Sequence, residues 1–248
     1  MSTEDIIVNI GTPALDKAAR RRFLEICGLN PSAESDPIFR AAMEIERALR
    51  PKIAARSVAR LRAPAIFDGG ALVWDGARFY CADFPANGDC VCAFAYILTV
   101  GDFEAPYGGV FESCLADALG TAYAEAALCE LKGILGGIAA KVLNEKGSDK
   151  KGLCASRVCG PGVSGMDIGE LGGLFTLLDA QSIGVALTES GCMLPRKTLA
   201  GLIFFDEKDA LSGLNKKSAR ACAGCASRGK NCAYCGARAY TRADGASD

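Results

Sequence analysis

The chain contains no histidine in 248 residues, and that absence removes a large group of mechanisms at once. A Ser-His-Asp triad, a Cys-His pair, an imidazole proton shuttle and a His-ligated metal all need an imidazole. An excess of charge of one sign is also lacking. Lys and Arg number 28 against 29 Asp and Glu, a net charge of −1, which argues against a whole-surface field built to attract nucleic acid or membrane. Long apolar runs are missing too: the longest, VCAFAYILTV at 91–100, is half of the ~20 residues that a membrane-spanning helix needs. The opening MSTEDIIVNI has acids where a secretion signal has Lys or Arg. Thirteen cysteines, about one residue in twenty, fall below the density of a disulfide scaffold, and the chain is much longer than the secreted domains that rely on one. The expectation is a cytoplasmic protein whose cysteines are thiols or metal ligands, without a membrane or nucleic-acid partner.

What is present is apolar: half of the residues, enough for a substantial core. Helical spacing of Leu15, Ala18, Ala19, Phe23, Ile26 and Cys27 predicts a first helix stopped at Gly28. In PIFRAAMEIERALRP, Ile38, Ala41, Ala42, Ile45 and Leu49 share a face, and Pro51 ends the second helix. The pairs Asp68-Gly69 and Asp75-Gly76 divide PAIFDGGALVWDGARFYC into short strands with hairpin turns. The run DCVCAFAYILTVG reads as a strand buried on both faces, with Cys90 and Cys92 on opposite sides and so poorly placed for one metal.

A long helix is predicted from Val110 to Lys146 with a break at Gly136-Gly137. Its stripe is Phe111, Cys114, Leu115, Ala118, Leu119, Ala122, Ala126 and Cys129, with Glu125 off the centre. Then come KGLCASRVCGPGVSGMD, a short helix in IGELGGLFTLLDA and a last strand in LAGLIFFDEKD. An arginine before a glycine-rich turn can form an anion or ligand cradle, because glycine lets backbone N–H groups approach a ligand and guanidinium forks a carboxylate. Strands and helices alternate in blocks without regular βαβ spacing, which predicts an α+β fold with a mostly antiparallel sheet. The regions are 1–85, helical and hairpin; 86–210, the core; and 211–248, a basic Cys-rich tail.

That tail holds seven basic residues and no acid between Ala210 and Ala243, around CAGCASRGKNCAYC. Two Cys-x-x-Cys units six residues apart predict a four-thiolate metal site of Cys222, Cys225, Cys232 and Cys235. Either Zn²⁺ or a [4Fe–4S] cluster would carry a net charge of −2 with four thiolates, which the flanking cations stabilise. The compact spacer suits iron–sulfur ligation, whereas paired units around zinc more often stand ~15–20 residues apart.

One further run is distinctive. Leu187-Thr188-Glu189-Ser190, followed by Met193 and Pro195 and preceded by Leu178-Asp179-Ala180, resembles the activation domain of vitamin B12-dependent methionine synthase, and the whole chain resembles standalone proteins of that family. ILTVG at 97–101 and LADALGTAYAEAAL at 115–128 resemble its strand and small-residue helix; residues 15–60 match loosely. The resemblance implies a C-shaped domain that binds S-adenosylmethionine and caps a corrinoid-bearing methyltransferase during reductive remethylation of cobalamin. It supplies no nucleophile, so no residue is catalytic.

The implied binding residues are Arg157, Gly160, Pro161, Gly162, Val163, Thr188, Glu189, Ser190 and Glu125. Relative to the family's arginine-to-Pro-Gly-Tyr motif, the spacing from Arg157 is one residue longer and Val163 stands in place of tyrosine. Two readings follow. One is an accessory reactivation protein for a cobalamin-dependent methyltransferase, with an electron-transfer cluster in the tail. The other is a non-catalytic partner-binding module with a structural zinc knuckle. A thiol redox role for either Cys-x-x-Cys would need a thioredoxin-like βαβ context that the pattern lacks.

Overall fold

Aspartates start the first two helices. In a computed structural model, which describes residues 4–28, 35–105, 108–145, 152–156, 158–163, 165–207 and 214, Asp16 accepts from the Ala19 N–H at 2.8 Å and Asp36 from the Ile38 N–H at 2.8 Å. Each carboxylate satisfies an N–H that the first turn leaves unpaired. Strand β1 (Ile6–Gly11) precedes α1 (Lys17–Ile26), which ends at Gly28 with φ +70°. Helix α2 (Pro37–Leu49) begins with a proline at its first position and closes in a 3-10 turn, Arg50–Lys52. Its buried face is Phe39, Ala42, Ile45 and Leu49. Phe39 displaces the expected Ile38 and Ala41 to a half-buried rim, because the larger ring gains more from leaving water.

Strand β2 (Ala55–Arg62) leads to β3 (Ala65–Asp68), β4 (Ala71–Trp74), β5 (Ala77–Tyr80) and β6 (Asn87–Cys90). The last four form a sheet of order β5-β4-β3-β6. Its two-residue turns are Gly69-Gly70, one residue later than the Asp68-Gly69 pair suggests, and Asp75-Gly76. All four turn residues have positive φ, the conformation whose twist matches the flanking strands.

Strand β7 (Cys92–Thr99) is buried at every position. It lies at the centre of a five-stranded antiparallel sheet of order β1-β2-β7-β11-β8, where β8 is Cys154–Ala155 and β11 is Thr198–Asp206. This sheet draws β1 and β2 from residues 1–85 and its other strands from residues 86–210. Cys92, Phe94, Tyr96 and Leu98 face the helical layer, while Ala93, Ala95 and Ile97 face the second sheet. Cys90 packs in the second-sheet core and Cys92 in the helical core. Spacing does not cause this, since residues two apart on an unbroken strand share a face. The strand breaks at Val91, whose N–H donates to Asp206 Oδ2 at 2.9 Å.

Helix α3 (Val110–Glu145) is continuous over 36 residues, about 54 Å at ~1.5 Å per residue. The break expected at Gly136-Gly137 is absent; a Cβ on Gly136 would lie 3.2 Å from the Phe205 ring, so the glycine admits close packing. Leu115, Ala118, Leu119 and Ala122 of the expected stripe are buried, but Phe111, Cys114 and Cys129 are exposed and Ala126 is half-buried. The buried line turns instead through Tyr123, Ala127, Leu131 and Leu135, toward the sheet rather than toward a partner. Helix α4 (Glu170–Leu177) covers the other face with the second sheet. Among the described residues no helix is long and apolar enough to cross a membrane.

Candidate functional site

Residues 152–156 and 158–163 run beside β11, and their hydrogen bonds change register part-way. Ala155 stands opposite Phe205 in β8, and Ser156 opposite Phe204, through its N–H to the Phe204 carbonyl at 2.7 Å. The next pair is Cys159 with Leu202, joined in both directions at 3.0 and 2.7 Å. Three steps on one strand thus match two on β11, so a β-bulge with one extra residue lies between Ser156 and Cys159. Arg157 itself is outside the described residues, as are Cys222, Cys225, Cys232 and Cys235. Among the described residues no group of three or more acidic or cysteine side chains could hold a metal.

Two glycines admit the crossing. A Cβ on Gly201 would fall 2.6 Å from the Cys159 carbonyl oxygen, and one on Gly160 would fall 2.9 Å from the Ala200 carbonyl oxygen. Both obstacles are backbone and cannot swing aside. The chain then turns through Gly160-Pro161-Gly162-Val163: the Val163 N–H donates to the Gly160 carbonyl at 2.9 Å, and Gly162 has φ +79°. Proline second and a positive-φ glycine third are what a type II turn requires.

The turn is tied to the second layer. The Gly162 N–H donates to the Met166 carbonyl at 3.0 Å, the Met166 N–H to the Val163 carbonyl at 3.1 Å, and the Ala82 N–H to the Gly165 carbonyl at 3.0 Å. The Gly162 and Val163 donors are therefore used by Met166 and Gly160 and do not point to a ligand. Val163 is 49 % exposed and Ile168, against Gly162, is 62 % exposed, so the rim is apolar.

Thr188, Glu189 and Ser190 lie at the tip of a hairpin between β9 (Ala186–Leu187) and β10 (Met193–Leu194). The Gly191 N–H donates to the Thr188 carbonyl at 2.9 Å, and the Cys192 N–H to Thr188 Oγ1 at 2.9 Å; the Thr188 and Ser190 hydroxyls are 2.9 Å apart. Glu189 is exposed, so the penalty for burying a carboxylate between apolar runs does not arise. The hairpin feeds β11 through Pro195, whose carbonyl accepts from Thr198 Oγ1 at 2.6 Å. Gly160 meets β11 at Ala200 and Gly201, about 7–10 Å further along at ~3.3 Å per residue. The turn and the base of the hairpin therefore adjoin the same end of one strand.

Glu125 sits elsewhere. Its carboxylate takes Arg22 Nε of α1 at 3.0 and 2.9 Å, and ties α1 to α3 on the helical side. Reasoning from sequence missed Gly201 and Ser156. Gly201 carried a signal: a glycine inside the strand pattern LAGLIFF marks a close backbone approach. Ser156 carried none, because its role depends on which residue of β11 it faces.

No protein-family model matches the chain, and no curated protein does. A crystal structure of the MetH reactivation domain bound to AdoHcy matches it with a TM-score of 0.58 at 16% sequence identity, over 87% of this chain and 80% of that one. The two share a fold.

Proposed function

We infer that the chain is an accessory protein for a cobalamin-dependent methyltransferase, with an adenosyl-sulfur ligand held at the Gly160–Val163 turn and a corrinoid-bearing partner docked over it. The observation that carries this reading is the type II turn pinned backbone to backbone against β11, in a fold shared with a domain solved with S-adenosylhomocysteine bound. The Leu187–Ser190 run with Met193 and Pro195 supports the same family.

The chemistry fits such a ligand better than a phosphate. The turn has no spare N–H at Gly162 or Val163, and the exposed carboxylate next to it in the chain is Asp167, beside Met166. A sulfonium cation is attracted by that carboxylate, whereas a phosphate would be repelled. Thr188, Glu189, Ser190 and Arg157 complete the binding set in this reading. Glu125, engaged with Arg22 on the helical side, stands outside that set. When bound, S-adenosylmethionine supplies the methyl group; this chain presents it and carries no nucleophile for the transfer.

Calorimetry with S-adenosylmethionine and S-adenosylhomocysteine tests the ligand. Capture of a corrinoid protein by the full chain, and its loss on Ile168→Asp, tests the partner. Absence of adenosyl binding at millimolar ligand, together with retained capture, would leave the second reading, a partner-binding module. The exposed Val163 and Ile168 favour that second reading, since an apolar rim suits a protein surface. Cys222, Cys225, Cys232 and Cys235 are proposed to bind a metal: as an iron–sulfur cluster it would supply an electron, and as zinc it would make the tail a structural knuckle. Iron, sulfide and zinc contents of protein prepared without oxygen decide between them.

A further inference from the structure

Lys132 is a half-buried cation on α3 that no carboxylate meets among the described residues. Its ammonium donates to the Ser156 carbonyl at 3.1 Å. Burial pulls its pKa below the ordinary lysine value, and the thiols of Cys129 and Cys159 oppose that shift. A lysine in such a place ordinarily extends its amine into water along the apolar stem. Lys132 instead spends it on one backbone oxygen.

That oxygen is available for a particular reason. In a regular antiparallel pair the Phe204 N–H would donate to the carbonyl of residue 156. Here it donates to Ser156 Oγ at 3.0 Å, in a setting where Ser156 is 1% exposed. The hydroxyl replaces the carbonyl in the ladder, and the released carbonyl turns to Lys132. The bulge begins at this residue, so the hydroxyl, the carbonyl and the ammonium form one device at its near end. The paired bonds of Cys159 with Leu202 close its far end.

We propose that Lys132 is the positioning residue of the Gly160–Val163 turn: its ammonium holds the bulge between Ser156 and Cys159 and so sets where the turn stands against β11. The proposal rests on the adenosyl-binding reading for what the turn holds; the clamp on the backbone is independent of it.

The test uses the full chain with Lys132→Met, Lys132→Arg and Ser156→Ala, with S-adenosylhomocysteine as the probe. Calorimetry reads affinity, and amide hydrogen exchange without ligand reads the backbone. Lys132→Met is expected to weaken binding about tenfold or more, the loss of one charge-assisted hydrogen bond. It should also speed exchange at Cys159, Gly162 and Val163 while β7 and α3 stay protected. Lys132→Arg, whose guanidinium reaches the same carbonyl, should restore both readouts to within about threefold. Ser156→Ala approaches from the other side: with the hydroxyl gone, the Phe204 N–H reclaims the carbonyl of residue 156, and affinity and protection should fall as in Lys132→Met. Parent-like exchange and affinity in Lys132→Met would overturn the clamp. So would a loss of protection throughout α3 that arginine does not rescue. A parent chain that binds no S-adenosylhomocysteine would overturn the adenosyl reading instead, and the exchange pattern would still decide the clamp.

Discussion

On one face of the five-stranded sheet, α1, α2 and α3 bury large side chains in regular helical lines. On the other, the second sheet and α4 share the space with two turns and a bulge. The helical face has its polar groups closed among themselves: Arg22 on Glu125, and the Tyr123 hydroxyl on Glu46 at 2.6 Å. At the β8 edge the backbone leaves its ladder, Lys132 reaches over from α3 to take a carbonyl, and Val163, Ile168 and Glu189 remain in solvent. Regular packing yields stability. Irregular backbone held by a rigid strand yields a shaped surface, and that is where binding sites concentrate.

Five substitutions, one of them a control, separate the two sides, beginning with the largest effect. Leu131→Ala, on the helical face at a position with no exposed surface, should lower unfolding free energy by about 3 kcal/mol in urea titration. Ligand affinity of the folded protein should be unchanged. A change in affinity would mean that this core reaches the turn by a route other than Lys132.

Gly201→Ala drives a methyl to 2.6 Å from the Cys159 carbonyl oxygen and should cost about 2 kcal/mol. Unlike Leu131→Ala it should also abolish ligand binding, by lifting residues 158–163 from β11. Gly120→Ala is its control: the new methyl would meet Phe103 Cγ and Lys197 Cγ at 2.8 and 2.9 Å, away from residues 158–163, so it should cost stability while binding is retained.

Tyr123→Phe removes the hydroxyl from Glu46 and should cost about 1 kcal/mol, read as a lower melting temperature without loss of binding. Glu189→Ala should change stability by less than about 0.5 kcal/mol while weakening ligand or partner binding. A Glu189→Ala protein that binds as the parent does would remove the hairpin tip from the site.

Thiol labelling gives a pH-dependent contrast within the helical face. Burial, then the nearby Cys114, pushes Cys27 up to about 11, so its thiolate fraction rises about tenfold per pH unit below that value. Its alkylation rate should climb steeply between pH 8 and pH 10. A rate independent of pH there would mean that Cys27 is not held as the buried thiol.

Much of the fold was legible in the sequence because it is periodic. The helices around Phe23 and Ile45, the doubly buried β7 and the glycine turns follow from spacings that depend on neighbours along the chain. The failures share one cause. Phe39 displaced Ile38, Gly136-Gly137 left α3 unbroken against Phe205, and Phe111, Cys114 and Cys129 stayed in water. Each outcome was decided by what lay across the gap, which periodicity does not contain. In the site, Pro161 and Gly162 announced their turn through local backbone preference. The use of that turn's own N–H groups by Met166 and Gly160 could not be read beforehand.

By itself the sequence determined the α+β class and the antiparallel sheet, through blocks of strands and helices without regular βαβ spacing. It also determined the type II turn, through the fixed φ of proline and the free φ of glycine. Only the tertiary structure decided that Gly201 and Gly160 admit one backbone against another, that Glu125 belongs to Arg22, and that Ser156 trades its carbonyl to Lys132. Those depend on residues from 24 to 103 positions apart along the chain, and such distances close only when the sheet and its helices have assembled.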